Sequence, residues 1–135
     1  MLFRSVCRAI EDPRDLRDPN VVKVVRDLQG YALYFSRSPV PHTREGQRGS
    51  EAARPCKHIG LYVYRRAFLF RFTAWKPTPL EEAERLEQLR ALEHGVRIRV
   101  VETRHDSVGV DTPDDLARVQ RVLNERRAWT PSSSS

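Results

Sequence analysis

The chain has 135 residues, and its 24 lysines and arginines against 18 aspartates and glutamates give a formal net charge of +6. This length fits one domain with one core. An apolar share of 39% is too high for a disordered chain, and no apolar run is long enough to cross a bilayer or to form a signal peptide. Cys7 and Cys56 make neither a disulfide framework nor a metal-type pair. We therefore expect a reducing, cytoplasmic setting and no membrane partner.

The sequence pattern in the first third of the chain predicts strands. Residues 5–10 are typical of a short strand, and a charged turn with two prolines follows at residues 12–20. The runs at 21–25 and 31–35 are β-branched or aromatic, and the Asp-Leu-Gln-Gly stretch at 27–30 has turn chemistry. We expect these two runs to form a hairpin.

The composition changes in the polar, aperiodic segment 39–55, and a loop of this length is usually functional or disordered. A strand is predicted to follow at 57–64, with two alternating sets of side chains. One set is Ile59, Leu61 and Val63, and the other is His58, Gly60, Tyr62 and Tyr64.

Helices dominate the prediction for the second half. A short helix at 67–74 is expected to bury Phe68, Leu69 and Phe72. Thr78-Pro79-Leu80-Glu81 is a capping box that begins a helix ending at Gly95. Its apolar residues, at three-residue steps, are Leu80, Ala83, Leu86, Leu89 and Leu92.

A strand at 96–100 and a last helix starting after Thr112 complete the predicted elements. The inner face of that helix would carry Leu116, Val119, Val122 and Leu123. The mixture predicts an α/β class with a partly antiparallel sheet. We expect one domain over residues 1–128 and a disordered tail at 129–135.

The positive charge is almost entirely arginine, because only three of the 24 basic residues are lysines. Arginine favours bidentate recognition of carboxylates and phosphates, but a composition-biased genome would also supply it on an ordinary surface. The glycines match neither a dinucleotide-binding nor a P-loop pattern, and the four histidines are too scattered for zinc. A G-x-x-G spacing at 46–49 lies outside the helical context of an RNA-binding KH loop.

Several polar residues stand where a packed core does not require them. His58 and Tyr62 share one face of their strand, which is the solvated face or a binding face. Arg37 is either a solvated surface residue or a residue that binds an anion. Glu87 and Gln88 either form an exposed helix face or bind hydroxyl groups of a ligand. Asp111 either complements the dipole of the last helix or helps to hold a divalent metal ion.

In combination, these segments resemble the 3-deoxy-manno-octulosonate cytidylyltransferase (CMP-Kdo synthetase) family, in its C-terminal half. The matching stretches keep the family's order and spacing over about residues 5–125. They are 18–25, 30–37, 57–64, 79–81 with 86–90, and 109–116.

The resemblance implies a partial nucleotidyltransferase fold, Rossmann-like and GT-A-like, that lacks its N-terminal half. The family joins CTP to the sugar acid Kdo, makes CMP-Kdo and pyrophosphate for lipopolysaccharide synthesis, and works as a homodimer with Mg²⁺. By resemblance the Kdo pocket is lined by Arg37, His58, Tyr62, Glu87 and Gln88, and Asp111 is one of two magnesium aspartates. No residue of this chain is assigned to the chemical step itself.

The family's CTP-gripping loop and its other metal aspartate belong to the N-terminal half, which this sequence does not match. We therefore expect a truncated fragment that is inactive and poorly stable alone. The family's dimer contacts involve the region around loop 39–55, which is unlike that of its relatives. Two alternatives stay open, a basic RNA-binding module and a non-catalytic domain that binds a sugar acid. The enzyme interpretation itself includes no nucleic-acid partner.

Overall fold

The computed structural model describes residues 3–44, 53–105 and 113–128. The chain divides into two compact units, Met1–His105 and Asp106–Ser135. The predicted boundaries, one domain over 1–128 and a tail after it, remain a prediction. The elements are β1 (Phe3–Ala9), α1 (Pro13–Arg17), β2 (Lys23–Arg26), β3 (Ala32–Ser36), β4 (Cys56–Tyr64), α2 (Arg66–Ala74), α3 (Pro79–Glu84), α4 (Gln88–Glu93), β5 (Arg99–Glu102) and α5 (Pro113–Ala128).

The first unit is built on one five-stranded sheet in the order β3-β2-β4-β1-β5. β1 and β5 run parallel, and the other neighbouring strands run antiparallel. The start of β3 also bonds to the segment around β5, since the Ala32 N–H donates to Ile98 O at 2.8 Å and the Val100 N–H to Gly30 O at 2.9 Å. The mixed α/β sheet is therefore confirmed.

The hairpin of β2 and β3 forms where the turn residues predict it. Asp27 Oδ1 accepts hydrogen bonds from the backbone N–H groups of Gln29 and Tyr31, each at 2.9 Å. Gly30 adopts a φ of +85°, which side-chain-bearing residues rarely adopt. The aspartate and the glycine together fix the reversal of the chain.

The charged turn after β1 contains a helix that the sequence analysis did not predict. Asp12 caps α1, because its Oδ1 accepts the Arg14 N–H at 2.9 Å, and Pro13 occupies the first helical turn. This is the same combination of cap and proline that correctly predicted the start of α3. The two prolines therefore begin and follow a helix instead of marking an irregular turn.

The leucine-rich segment forms two short helices, so the prediction of one helix up to Gly95 is wrong. Its start is confirmed: α3 begins at Pro79 with the capping box, in which Glu81 accepts the Thr78 N–H at 3.1 Å. The chain then turns at Arg85, which has left-handed dihedrals (φ 57°, ψ 46°). A strict three-residue spacing turns the apolar stripe by about 60° per step around a straight helix. A break after α3 lets Leu86 and Leu89 reach the core while Leu80 stays exposed.

β4 alternates as predicted, but the side that is covered is the polar and aromatic one. Leu61 and Val63 are 59% and 54% exposed, whereas His58, Tyr62 and Tyr64 are partly buried. The interpretation of the His58 and Tyr62 face as the solvated face is therefore wrong. The reason is that this face meets the aromatic side chains of β1 and α2.

The core of the first unit is rich in aromatic rings. Phe3 of β1 has its ring centroid 5.4 Å from Phe68 and 4.7 Å from Tyr64. Phe68 and Phe72 of α2 are buried as predicted, but Leu69 is 41% exposed because it lies on the outer side of the helix. The fully buried set also contains Cys7, Phe35, Leu89, Ala91 and Ile98.

The remaining predictions for the second half have mixed outcomes. β5 begins at Arg99 and not at residue 96. α5 forms as predicted, with two acidic residues in its first turn. However, Leu116, Val122 and Leu123 are exposed, so the predicted burial of its apolar side chains is not observed.

Within the residues described, no helix is long and apolar enough to cross a membrane. The segments 45–52 and 129–135 lie outside the described residues.

Candidate functional site

The covered face of the sheet carries a buried polar pair between β1 and β4. Nε2 of His58 lies 2.6 Å from Oγ of Ser5, and the same hydroxyl donates to the Leu61 carbonyl at 2.9 Å. Nε2 of His58 is thus hydrogen-bonded to the Ser5 hydroxyl, whereas Nδ1 has no hydrogen-bond partner within the described part of the chain.

Burial keeps the His58 ring neutral. It lowers the pKa of His58 from the ordinary 6.5 to about 4. The ring lies edge-on to Phe35, with centroids 4.9 Å apart, and 5.4 Å from the ring of Tyr62. His58 is therefore a fixed hydrogen-bonding group at neutral pH and not a charge.

Tyr62 lies on the same face as His58, as its sequence position predicts. Its ring is 5.7 Å from Phe3 and 5.8 Å from Tyr64. Burial raises the pKa of Tyr62, and the negative charge of Glu87 raises it further, so the phenol keeps its proton. Glu87 also contributes to the raised pKa of Tyr64, after burial.

Glu87 and Gln88 form the start of α4. Glu87 is exposed at the cap position, and its carboxylate is near enough to act electrostatically on Tyr62. Gln88 is only 5% exposed, and its amide makes no hydrogen bond to another described residue. The interpretation of both residues as an exposed helix face is therefore wrong for Gln88.

Arg37 lies at the end of β3 and is bonded mainly to backbone. Its Nε donates to Glu84 O at 2.7 Å, Nη1 to Pro19 O at 3.0 Å and Nη2 to Arg85 O at 3.2 Å. The guanidinium thus ties β3 to the turn that leads into α4, next to Glu87. With five N–H groups in all, one on Nη1 and one on Nη2 remain for another acceptor.

Glu84 is a structural residue of this region that the sequence analysis missed. Its carboxylate accepts the Ser36 hydroxyl at 2.6 Å and the Arg37 N–H at 2.9 Å. Burial raises the pKa of Glu84, but these hydrogen bonds outweigh it and leave the pKa below its usual range. Nothing distinguishes Glu84 from the other glutamates of its helix in sequence. Ser5 was also missed, although its position between Phe3 and Cys7 indicates an inward side chain.

The structure thus brings His58, Tyr62 and Glu87 to one region and anchors Arg37 beside the turn before Glu87. Asp111 lies outside the described residues. Among the described residues, no three acidic, histidine or cysteine side chains are grouped to hold a metal ion. The roles of all six residues in binding remain predictions.

Comparisons with known proteins agree on one family. A family profile described as "Cytidylyltransferase" matches residues 3–98. A 3-deoxy-manno-octulosonate cytidylyltransferase of Solibacter usitatus (strain Ellin6076) is 54% identical over 123 residues, which cover 91% of this chain and 48% of the relative. One from Geobacter sulfurreducens is 60% identical over 116 residues, covering 81% and 46%.

The fold gives the same result. A solved structure of CMP:2-keto-3-deoxy-manno-octonic acid synthetase complexed with CTP superposes with a TM-score of 0.81 at 38% identity, and the match covers 93% of this chain and 50% of that chain. The mixed sheet is therefore that of a nucleotidyltransferase. The chain belongs to the cytidylyltransferase family. It spans about half the length of the curated relatives that it matches.

Proposed function

We propose that this chain supplies the sugar-acid half of an enzyme that joins CTP to Kdo and releases pyrophosphate, with CMP-Kdo as product. The observation that carries the proposal is the start of α4, where the Glu87 carboxylate acts electrostatically on Tyr62 and the next residue, Gln88, is only 5% exposed and makes no hydrogen bond to another described residue. The names of relatives more than half identical in sequence support the same substrate.

The residue types suit a polyhydroxylated acid. The unpartnered Nδ1 of His58 bonds to a sugar hydroxyl, the protonated Tyr62 phenol donates, and the Gln88 amide can donate and accept. Glu87 accepts hydroxyl protons. The two remaining N–H groups of Arg37 bind the sugar carboxylate as a charge-assisted pair. These groups hold the acceptor sugar in one orientation, which supplies much of the rate of a two-substrate reaction.

Asp111 is the one residue of this chain that we propose as a ligand of Mg²⁺. An aspartate carboxylate is a ligand type that Mg²⁺ prefers, although its position lies outside the described residues. When bound, the ion supplies charge neutralisation at the α-phosphate of CTP.

The rest of the family's length is proposed to cover an apolar face of this sheet. Leu61, Val63 and Val101 are each more than half exposed, and they lie on β4 and β5, on either side of β1. A group of exposed apolar side chains on one face of a sheet is typical of an interface. We propose that the CTP-binding half of the family packs there, either in the same polypeptide or as a separate one.

The biological setting is proposed with the reaction. The thiols of Cys7 and Cys56 are free and buried, which fits the reducing cytoplasm. A homodimer, and a role in lipopolysaccharide synthesis, are proposed from the same resemblance.

A coupled pyrophosphate-release assay tests the proposal. The 135-residue chain with CTP, Kdo and Mg²⁺ should show no turnover, and adding the N-terminal half of the Solibacter usitatus relative should restore it. Turnover by the chain alone would contradict the proposal that CTP binds to the other half of the enzyme. Binding of RNA, or of Kdo without any recovered turnover, would favour the RNA-binding or the non-catalytic alternative.

A matched pair of variants tests the site. In the complemented enzyme, Gln88→Met should raise the KM for Kdo at least tenfold and leave the KM for CTP unchanged. The control Gln29→Met removes an exposed amide from the β2–β3 turn and should change neither constant. Equal effects of the two substitutions on the KM for Kdo would show that Gln88 does not line the pocket.

A further inference from the structure

A cavity separate from the candidate functional site lies at the start of the parallel strands β1 and β5. It has a volume of about 510 Å³, within the range of small-molecule sites. Its wall includes four arginines and no acidic side chain, and none of the predicted Kdo residues lines it. The arginines are Arg4, Arg71, Arg97 and Arg99.

Three of these arginines lie close together without a carboxylate that pairs with them in the described part of the chain. Arg4 and Arg99 are directly paired in the register of β1 and β5, so two cations stand side by side on one face of the sheet. Like charges in this arrangement are destabilising. Among the described residues, no carboxylate forms an ion pair with Arg4, Arg71 or Arg99. A bound anion would relieve this repulsion.

The side chain of Tyr31 orders two of the guanidinium groups. The Cζ atom of Arg97 lies 3.7 Å from the centroid of the Tyr31 ring, and that of Arg99 lies 5.5 Å away. Stacking on an aromatic face leaves the N–H edges of a guanidinium available. Arg97 has two weak polar contacts, with its Nη2 3.4 Å from Asp27 Oδ2 and 3.4 Å from Gln29 Oε1, and its side chain is 61% exposed. Both arginines can therefore donate to a ligand in the cavity.

Another part of the wall is aromatic. Trp75 stacks on His94 with ring centroids 3.9 Å apart, and Arg71 lies 6.0 Å from the Trp75 ring. The cavity thus combines guanidinium groups with flat apolar surface, which suits an organic phosphate as well as an inorganic one.

We propose that this cavity binds a ligand with at least two linked phosphate groups, either inorganic pyrophosphate or a nucleoside diphosphate. Guanidinium forks match phosphate oxygens two at a time, and several of them fit a polyphosphate better than a single carboxylate. The proposal rests on the cavity alone and is independent of the proposed transferase activity.

Titration calorimetry on the 135-residue chain at low salt tests this proposal, with inorganic pyrophosphate in one arm and ADP in the other. Pyrophosphate should bind with a stoichiometry of one. Tighter binding of ADP would identify a nucleotide as the ligand, and equal or weaker binding would identify the phosphates alone. The double variant Arg97→Gln/Arg99→Gln should weaken binding at least tenfold. Arg17→Gln, an exposed arginine of α1 away from the cavity, should leave it unchanged.

A second measurement reports from the cavity wall. The sequence has two tryptophans, so a Trp129→Phe variant leaves Trp75 as the single tryptophan, which can be excited selectively over the tyrosines. Pyrophosphate should change its emission with the same midpoint as the calorimetric titration. The proposal is overturned if the folded double variant binds pyrophosphate like the Arg17→Gln control, or if Trp75 emission does not respond. It is also overturned if only oligonucleotides bind, with affinity that grows with their length.

Discussion

The hydroxyl of Ser5 and the imidazole of His58 are 2.6 Å apart, on antiparallel neighbours β1 and β4, inside an aromatic layer. This pair explains how a partly buried histidine can lie against the aromatic core without carrying charge. Its Nε2 atom is hydrogen-bonded within the protein, and burial lowers the pKa of His58 to about 4.

The first prediction concerns the loss of folding stability at acidic pH that His58 causes. A histidine in the unfolded chain has a pKa of about 6.5, so between pH 6.5 and 4 the unfolded state binds a proton at His58 that the folded state does not. Stability therefore falls as the pH falls through this window. We expect a loss of about 2 kcal/mol between pH 7.5 and pH 5.

Urea unfolding at a series of pH values measures this loss. In His58→Gln the part of the slope between pH 6.5 and 4 should largely disappear, whatever the substitution costs at neutral pH. The control His42→Gln, at an exposed position, should keep the slope of the parent chain. An unchanged slope in His58→Gln would show that other groups cause the acid sensitivity.

The sequence predicts local structure well where side chains bond to nearby backbone. The hairpin depends on Asp27 and on the positive φ of Gly30, and the start of α3 depends on Glu81; all are readable within a few residues. Which face of β4 is covered is not local. Alternation defines two faces, but the choice between them depends on the rings of Phe3 and Phe68, far away in the chain.

The same distinction applies to the site. The positions of His58 and Tyr62 on one strand are enough to place them on one face. The bonds of Arg37 are different, because its acceptors are backbone carbonyls of residues such as Arg85, 48 positions along the chain. No side-chain pattern identifies a carbonyl acceptor, so the anchoring role of Arg37 becomes visible only in the structure.

The second prediction concerns the ion pair of Glu81 and Arg90. Their side chains are 9% and 13% exposed, with Nη2 2.5 Å from Oε1 and Nε 2.8 Å from Oε2. Hydrogen bonds from Arg90 lower the pKa of Glu81, so its stabilisation is complete above the usual carboxyl range and is lost as the pH falls through the lowered pKa. At pH 7, Glu81→Gln leaves a buried guanidinium unpaired and should cost about 3 kcal/mol.

Chemical denaturation at pH 7 measures that cost, and Glu82→Gln, the exposed neighbour in the same helical turn, is the matched control. The control should change the free energy of unfolding by no more than about 0.5 kcal/mol. In the double variant Glu81→Leu/Arg90→Met, the loss should be smaller than the sum of the two single losses, because no charge is left unpaired. Strict additivity would mean that the two side chains do not interact energetically.

The third prediction concerns Lys23, whose residue is fully buried. Its ammonium donates at 2.7 Å to the carbonyls of Asp18, Val21 and Arg37, so one side chain joins the turn before β2 to the end of β3. Lys23→Met keeps the stem but removes all three donors. We expect a loss of about 3 kcal/mol in the free energy of unfolding, measured in urea. Lys76→Met, at an exposed position, should be close to neutral, and a similar small effect at Lys23 would refute the anchoring role.

The fourth prediction concerns the turn between α3 and α4. Arg85 holds left-handed dihedrals, which cost a residue with a side chain about 1 kcal/mol relative to glycine. Its carbonyl accepts from Arg37, and that bond survives any change of side chain. Because glycine also gives the unfolded chain freedom worth about 0.5 kcal/mol, Arg85→Gly should raise the free energy of unfolding by about 0.5 kcal/mol and raise the melting temperature.

Arg65→Gly provides the control for this stabilisation. Arg65 precedes α2 with ordinary extended dihedrals (φ −72°, ψ 139°), so glycine there relieves no strain and only adds freedom to the unfolded chain. Thermal unfolding should show a higher midpoint for Arg85→Gly and an unchanged or lower one for Arg65→Gly. If both substitutions lower the midpoint, the side chain of Arg85 contributes more than its backbone conformation costs, and the break in the leucine-rich segment is held by that side chain.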